Sequence, residues 1–273
     1  MNKILLLLLF SVLTYGVTLA QENDSIMLRM NNIAEVKKRQ FIHAFPNNKD
    51  TCLLDHKKLD KQYRLTYQKV DMQCMGWPGY DETFLTYNDK GLTLVRNNMD
   101  GVEKNNTSFW YTKNEEKPIK TVLFLRETMD SIVTNTRYFR NKTGRLDSFI
   151  AVVKNQDGST TKTTNIARYD ENGNLNQLYV IDQKRKPVQM MSFEFDKSAK
   201  MKTAGFTTYG EKPTFSQTYF SYNQDGQLAN TINTVNQKQE YFYHENGLIS
   251  NVLSYNPKGV LEIEFMFEYT TQE

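Results

Sequence analysis

The chain has 273 residues, with 34 Lys and Arg against 31 Asp and Glu for a formal net charge of +3, and its mean hydropathy is −0.63. Cations and anions interleave along the sequence, so it gives no basic run of the kind that nucleic acid or an anionic membrane surface requires. The hydropathy also argues against a transmembrane helix beyond the N-terminal segment.

The N-terminus has the layout of a secretory signal peptide over residues 1–20. Lys3 gives a positive start, Ile4 to Phe10 is an unbroken apolar run, and Thr18 and Ala20 put small residues before a cleavage point at Gln21. The apolar stretch is shorter than the roughly 20 residues that a spanning helix needs. The expected product is therefore exported (periplasmic, cell-surface or secreted) and is not an integral membrane protein after cleavage. Residues 21–80 form a lead-in. Over 25–45, Ile26, Met30, Ile33, Val36 or Lys37, Phe41 and Phe45 follow the three-four spacing of one helical face, with Asp24 or Ser25 to cap it and Pro46 to stop it. Cys52 and Cys74 are the only cysteines. In an oxidising compartment an even count favours a bridge, the alternative being two buried thiols. Gly76-Trp77-Pro78-Gly79-Tyr80 is a turn cluster and a natural boundary.

From 81 to 273 the texture is that of strands. β-branched and aromatic runs of roughly eight to ten residues are separated by turn signals. Eight glycines close a four-residue unit that opens with Asn, Asp or His: Asn88–Gly91, Asn98–Gly101, Asn141–Gly144, Asn155–Gly158, Asp170–Gly173, Asn223–Gly226, His244–Gly247 and Asn256–Gly259. An Asx side chain at the first position can bond the backbone two residues on, and Gly at the fourth tolerates positive φ. Tyrosine precedes the unit at Tyr87, Tyr169, Tyr222, Tyr243 and Tyr255, and Leu or Ile often follows two after the glycine. Phe195–Met201 reads as a degenerate copy with Ala199 in place of Gly. The last strand is the clearest: Leu261, Ile263, Phe265, Phe267 and Tyr269 fall on one face and Glu262, Glu264 and Glu268 on the other.

The unit Tyr-Asx/His-x-x-Gly-x-Leu/Ile, best seen in Tyr169–Leu175, Tyr222–Leu228 and Tyr243–Ile249, resembles the YD-repeat (Rhs-type) family and, more loosely, MORN-type repeats. The resemblance spans roughly residues 81–269. It implies repeated β-hairpins building an extended sheet or shell in surface and secreted proteins, and it brings no catalytic residue with it.

Side chains that could carry chemistry are few. His43 sits beside Phe41, and His244 occupies a turn position. Cys52, Asp55 and His56 are close in sequence, but Cys52 has Cys74 as its expected partner. The three glutamates of the last strand read as a solvated face rather than a carboxylate pair. No cofactor or metal site is expected. Among the aromatics, Trp77, Tyr80, Trp110 and Tyr111 are candidate ligand contacts, with Trp77 in its turn the best placed at a surface and Phe109 and Trp110 suited to a core. A membrane barrel would need lipid-facing apolar alternation on every strand, and Ser159–Ala167 is too polar for that.

The expected fold is therefore mainly β: an antiparallel hairpin-repeat meander of roughly fifteen strands, an extended twisted sheet or sandwich-like wrap, with a short N-terminal helix. The expected function is that of an exported non-enzymatic repeat scaffold or binding protein. Its partner would be an envelope protein or glycan rather than nucleic acid. The alternative is a carrier that holds a carbohydrate or lipid through the aromatic residues of a closed β cup.

Overall fold

The computed structural model describes residues 26–43, 51–113 and 115–272, so the signal-peptide segment lies outside the described residues. A helical turn over 26–30 is followed by eighteen strands. In chain order they are β1 (Ile33–Ile42), β2 (Cys52–Leu59), β3 (Leu65–Asp71), β4 (Tyr80–Asn88), β5 (Gly91–Met99), β6 (Val102–Trp110), β7 (Lys120–Leu125), β8 (Asp130–Arg140) and β9 (Leu146–Lys154). The second half continues with β10 (Thr160–Tyr169), β11 (Leu175–Ile181), β12 (Pro187–Phe195), β13 (Met201–Thr208), β14 (Thr214–Tyr222), β15 (Leu228–Asn233), β16 (Lys238–Tyr243), β17 (Ile249–Tyr255) and β18 (Leu261–Thr271). Each pairs antiparallel with its sequence neighbours, and β1 pairs with β2 on one side and with β18 on the other, from Ile33 opposite Thr271 to Ile42 opposite Ile263.

The mainly-β reading and the meander order are right, but the sheet closes into an eighteen-stranded barrel and is neither an extended ribbon nor a sandwich-like wrap. The helix expected over 25–45 shrinks to residues 26–30, and Ile33–Ile42 is the strand that closes the ring. Ile33, Val36 and Phe41 fit a helical face only if the side chains between them can face water. Here Lys38 and Gln40 share the inner side of the strand with Val36 and Ile42, opposite Phe267 and Phe265. Two backbone ladders outweigh what an isolated helix could offer.

Among the described residues one turn geometry recurs ten times, opening at Asp60, Asn141, Asn155, Asp170, Asp182, Asp196, Asn223, Asn233, His244 and Asn256. At Asp170 the residue's N–H donates to the Asn174 carbonyl at 2.9 Å, the Gly173 N–H donates back to the Asp170 carbonyl at 3.0 Å, and the carboxylate accepts the Asn174 N–H at 2.8 Å. Those bonds hold the Asp170 carboxyl below its ordinary range, the Asn174 side-chain amide contributing most. Six of the ten have Gly at the fourth position. The other four force Tyr63, Arg185, Ala199 and Asn236 to φ of 59 to 61°, so a glycine-based scan of the sequence passes over three of them and sees only Ala199. Asn98–Gly101 is a different turn, a two-residue connection through Asp100 (φ 52°) and Gly101 (φ 77°).

The tyrosines of the repeat have a structural task. At one end of the barrel Tyr87, Tyr169, Tyr222 and Tyr243 close even-numbered strands, and each hydroxyl donates to the backbone carbonyl of the residue that opens the preceding strand: Leu65, Leu146, Met201 and Leu228, at 2.7–2.9 Å. Tyr111, Tyr138 and Tyr269 make the corresponding bond at or within two residues of the start of the preceding strand, to the carbonyls of Leu92, Pro118 and Ile249 at 2.8–2.9 Å, although no complete motif announces them. Burial pushes the Tyr222 phenol upward, reinforced by the Asp196 carboxylate, which keeps it a donor. Phe195 sits at the equivalent end of β12 without a hydroxyl, and Tyr255 is at the opposite end of the barrel, bonded to Glu240 at 2.8 Å.

Strand register separates two walls. Ala151, Val153, Thr163, Asn165, Ala167, Leu178, Val180, Gln189, Phe193, Thr231, Val252 and Gln40 are buried and share one face. Asn165 is 1% exposed and Val180 2%. Side chains on a concave wall converge while those on a convex wall splay apart, so this face is the inner one. The opposite face carries the exposed Trp110, Phe215, Tyr219, Ile232 and Phe242 and is the outer wall.

Four substitutions test these devices. Tyr222→Phe should cost about 1 kcal/mol in urea unfolding, the net worth of one hydrogen bond, while Phe195→Tyr should be neutral or stabilising because a matching carbonyl opens β11. Gly144, with open space around its α-carbon, should lose roughly 1 kcal/mol as Gly144→Ala, and Ala199→Gly should gain by a similar amount. A Gly144→Ala variant with unchanged unfolding would contradict the positive-φ assignment.

Candidate functional site

The four aromatic candidates do not form one site. Trp77 lies in the loop between β3 and β4 and is 67% exposed. Its N–H donates to the Met72 carbonyl at 3.0 Å, and Gly76 ends a turn of 3-10 helix, Met72–Met75, in a left-handed conformation. Tyr80 opens β4 at the same end of the barrel, with the Lys69 ammonium 3.9 Å above its ring. Trp110 and Tyr111 are at the opposite end, where β6 finishes. Trp110 is 44% exposed on the outer wall rather than in a core, with Lys120 5.3 Å from its ring, because the period of two that sends Phe109 inward sends Trp110 outward. Tyr111 is one of the structural tyrosines.

Cys52 and Cys74 are bridged. Cys52 starts β2 opposite Gln40, and Cys74 is buried in the 3-10 turn, so the bond ties the strand next to the closing seam to the loop that carries Trp77. Asp71, close to both sulfurs, is engaged in capping that turn by accepting the Gln73 N–H at 2.9 Å. Two of the three histidines face carboxylates: His56 Nε2 lies 3.1 Å from Glu35 and His43 Nε2 3.6 Å from Glu264. His56 also holds the Glu35 carboxyl below its ordinary range, against the opposing effect of burial. Lys117, in the loop between β6 and β7, is pulled down to about 8 by burial, with the charge of Arg140 acting in the same direction.

The outer wall has an uneven charge pattern. Around β16–β18, β1 and β2 cations are matched by carboxylates, as in Arg39 with Glu268 at 2.6 Å and Lys58 with Glu35 at 3.7 Å. Across β5 to β10 the outward positions include Arg96, Lys120, Arg137, Lys154, Lys162 and Arg168. Among the described residues none of these six has an ion-pair partner. Glu103, on β6, is held low chiefly by its hydrogen bond from Arg126, with the charge of Arg96 acting in the same direction. The cations rest on rings instead: Arg96 on Phe84 at 4.9 Å, Arg137 on Phe139 at 5.1 Å and Arg168 on Tyr179 at 5.1 Å. Each contact contributes on the order of 0.5–1 kcal/mol at an exposed site and leaves the positive charge uncancelled.

No known protein family and no curated protein matches the chain. Among solved structures it is similar to a porin-like protein from Bacteroides uniformis ATCC 8492, at 10% identity over 87% of this chain and 98% of that one, with a TM-score of 0.43. A porin-like protein from Bacteroides vulgatus ATCC 8482 is similar at 9% identity over 88% and 99%, TM-score 0.40. The TcdB2-TccC3-TEV structure matches at 13% identity over 79% of this chain but only 11% of that one, TM-score 0.39. At this level of likeness the functional reading rests on the chain's own residues.

With 22 residues separating the cysteines, reducing the bridge or making Cys52→Ser/Cys74→Ser should lower unfolding stability by roughly 3 kcal/mol. The loss should appear first as proteolysis in the loop between β3 and β4. Equal stability of the oxidised and reduced protein would show that the bond does not hold the seam.

Proposed function

We propose that this protein is an exported, water-exposed β-barrel that binds a macromolecular partner without catalysis. The observation that supports this most directly is the outer wall: Lys37, Arg96, Arg137, Lys162 and Glu264 occupy mid-strand outward positions around the ring. A Lys or Arg facing lipid at the bilayer midplane costs roughly 2–4 kcal/mol, so a wall carrying many of them favours water on its convex side. The ten repeated turns are short and hydrogen-bonded within themselves, so they leave little loop in which to build a catalytic site. The repeated Tyr-Asx-x-x-Gly unit, which resembles YD repeats, is read here as the device that fixes each hairpin of the barrel.

A second reading, the carrier of a lipid or sugar, gains from closure, since the ring encloses Phe149, Phe193, Phe206, Phe220 and Phe265 on its inner face. Extraction and mass spectrometry of protein purified without detergent separates the two, a stoichiometric bound lipid or sugar favouring the carrier.

The mature chain should stay in the aqueous phase, fold without detergent and leave liposomes impermeable. Insertion into lipid vesicles with measurable conductance would contradict the proposal.

A further inference from the structure

We propose that the outer wall of β5–β10 is a docking surface for a carboxylate-bearing polysaccharide, an inference that rests on the exported, water-exposed reading above and names its partner. Three features combine. First, the antiparallel order brings to one face cations that are far apart in sequence. Lys154 faces Thr160 and Lys162 faces Val152, so the two lysines are diagonal neighbours, while Arg137 lies one strand away opposite Ile150. Second, none of these cations lies within ion-pair distance of a described carboxylate, Arg96 acting on Glu103 only from further off, whereas cations of the opposite sector are paired directly, so positive charge is in excess on this side of the barrel. Third, Arg96, Arg137 and Arg168 lie against ring faces. A guanidinium held in this way keeps its planar edge of N–H donors available, and that edge matches a carboxylate in two parallel hydrogen bonds.

The same geometry disfavours single-stranded nucleic acid. That ligand is held by bases stacking on open aromatic faces, and here the faces of Phe84, Phe139 and Tyr179 are already covered by the arginines. Between the cations, Asn106, Ser108, Asn135 and Thr164 point outward and offer hydrogen bonds to sugar hydroxyls. Trp110 stands partly exposed at the rim of the same sector, with the Lys120 ammonium over its ring.

The test measures binding of the mature protein to polygalacturonate, with dextran sulfate, neutral dextran and a single-stranded DNA oligomer as comparisons, at low and high sodium chloride. The variant R96Q/R137Q/K162Q removes three charges from the surface. The control K61Q/K184Q/K258Q removes three exposed charges from turns elsewhere. Far-UV circular dichroism and thermal melts confirm that both are folded. Polygalacturonate should bind and weaken steeply with salt, dextran should not bind, and the surface variant should lose about tenfold in affinity, some 1.4 kcal/mol, with the control within about twofold. Arg137→Lys keeps the charge but not the fork, and should fall between wild type and Arg137→Gln.

No binding to polygalacturonate would overturn the proposal, as would equal losses in the two triple variants or tighter binding of the DNA or the sulfated glycan. If those failures came with a protein that still folded in water and left vesicles intact, only the docking surface would fall. Vesicle insertion would remove the underlying reading as well.

Discussion

Everything in this molecule depends on β1 meeting β18. A meander of eighteen strands has two edges, and each edge presents a row of unpaired N–H and C=O groups that invites pairing with another chain. The ladder from Ile33 opposite Thr271 to Ile42 opposite Ile263 removes both edges at once. The N- and C-terminal ends of the described chain are fastened together there: the Gln272 N–H donates to the Asn32 carbonyl at 2.7 Å, and the Gln272 side-chain amide donates to the Asp60 carbonyl at 3.0 Å. Closure also creates an inside. Without it, the face carrying Val180, Asn165 and Gln189 would have no reason to be buried while its opposite carries arginines.

Closure demands that each hairpin turn at a fixed place, because one slipped register would move an entire strand's inner residues to the outside. Two local devices supply this. The Asx side chain bonds two backbone N–H groups ahead of it, as Asp60 does with Gln62 and Arg64 at 2.8 and 3.0 Å. The tyrosine hydroxyl then reaches across to the opening carbonyl of the neighbouring strand. Together they bind three consecutive strands at one end of the barrel, and the absence of a hydroxyl at Phe195 leaves a single gap in that ladder among the described residues after β3.

The turns and the last strand were legible because their signals are local. Asn141–Gly144 announces itself in four residues, and Leu261–Tyr269 alternates cleanly. β1 was not legible. Its apolar residues satisfy a helical spacing as well as a strand's, and the partner that decides between them is more than 200 positions away in sequence. The turns at Asp60, Asp182 and Asn233 were missed because Tyr63, Arg185 and Asn236 hold positive φ without being glycine. The outer-wall charge was missed for a geometric reason. Along the sequence Arg96, Lys120, Arg137 and Lys162 are scattered among acids, and only projection through the register, strand by strand, gathers the cations on one face while leaving many of the acids in turns. Trp77 and Tyr80 stand out in the sequence by their Gly-Pro turn and Trp110 and Tyr111 as adjacent aromatics, but register divides the two pairs between the ends of the barrel.

The most direct measurement is residue-resolved amide hydrogen exchange of the mature protein across β1 and β18. In a closed ring the amides from Ile263 to Met266, where β18 is paired with β1 on one side and β17 on the other, alternate between the two ladders, so all should be protected to the same degree as the amides of β9 and β10. If alternate amides of β18 exchanged at the rate of free backbone while the remainder stayed protected, β18 would be an edge, the ring would be open, and the separation into an inner and an outer wall would be lost.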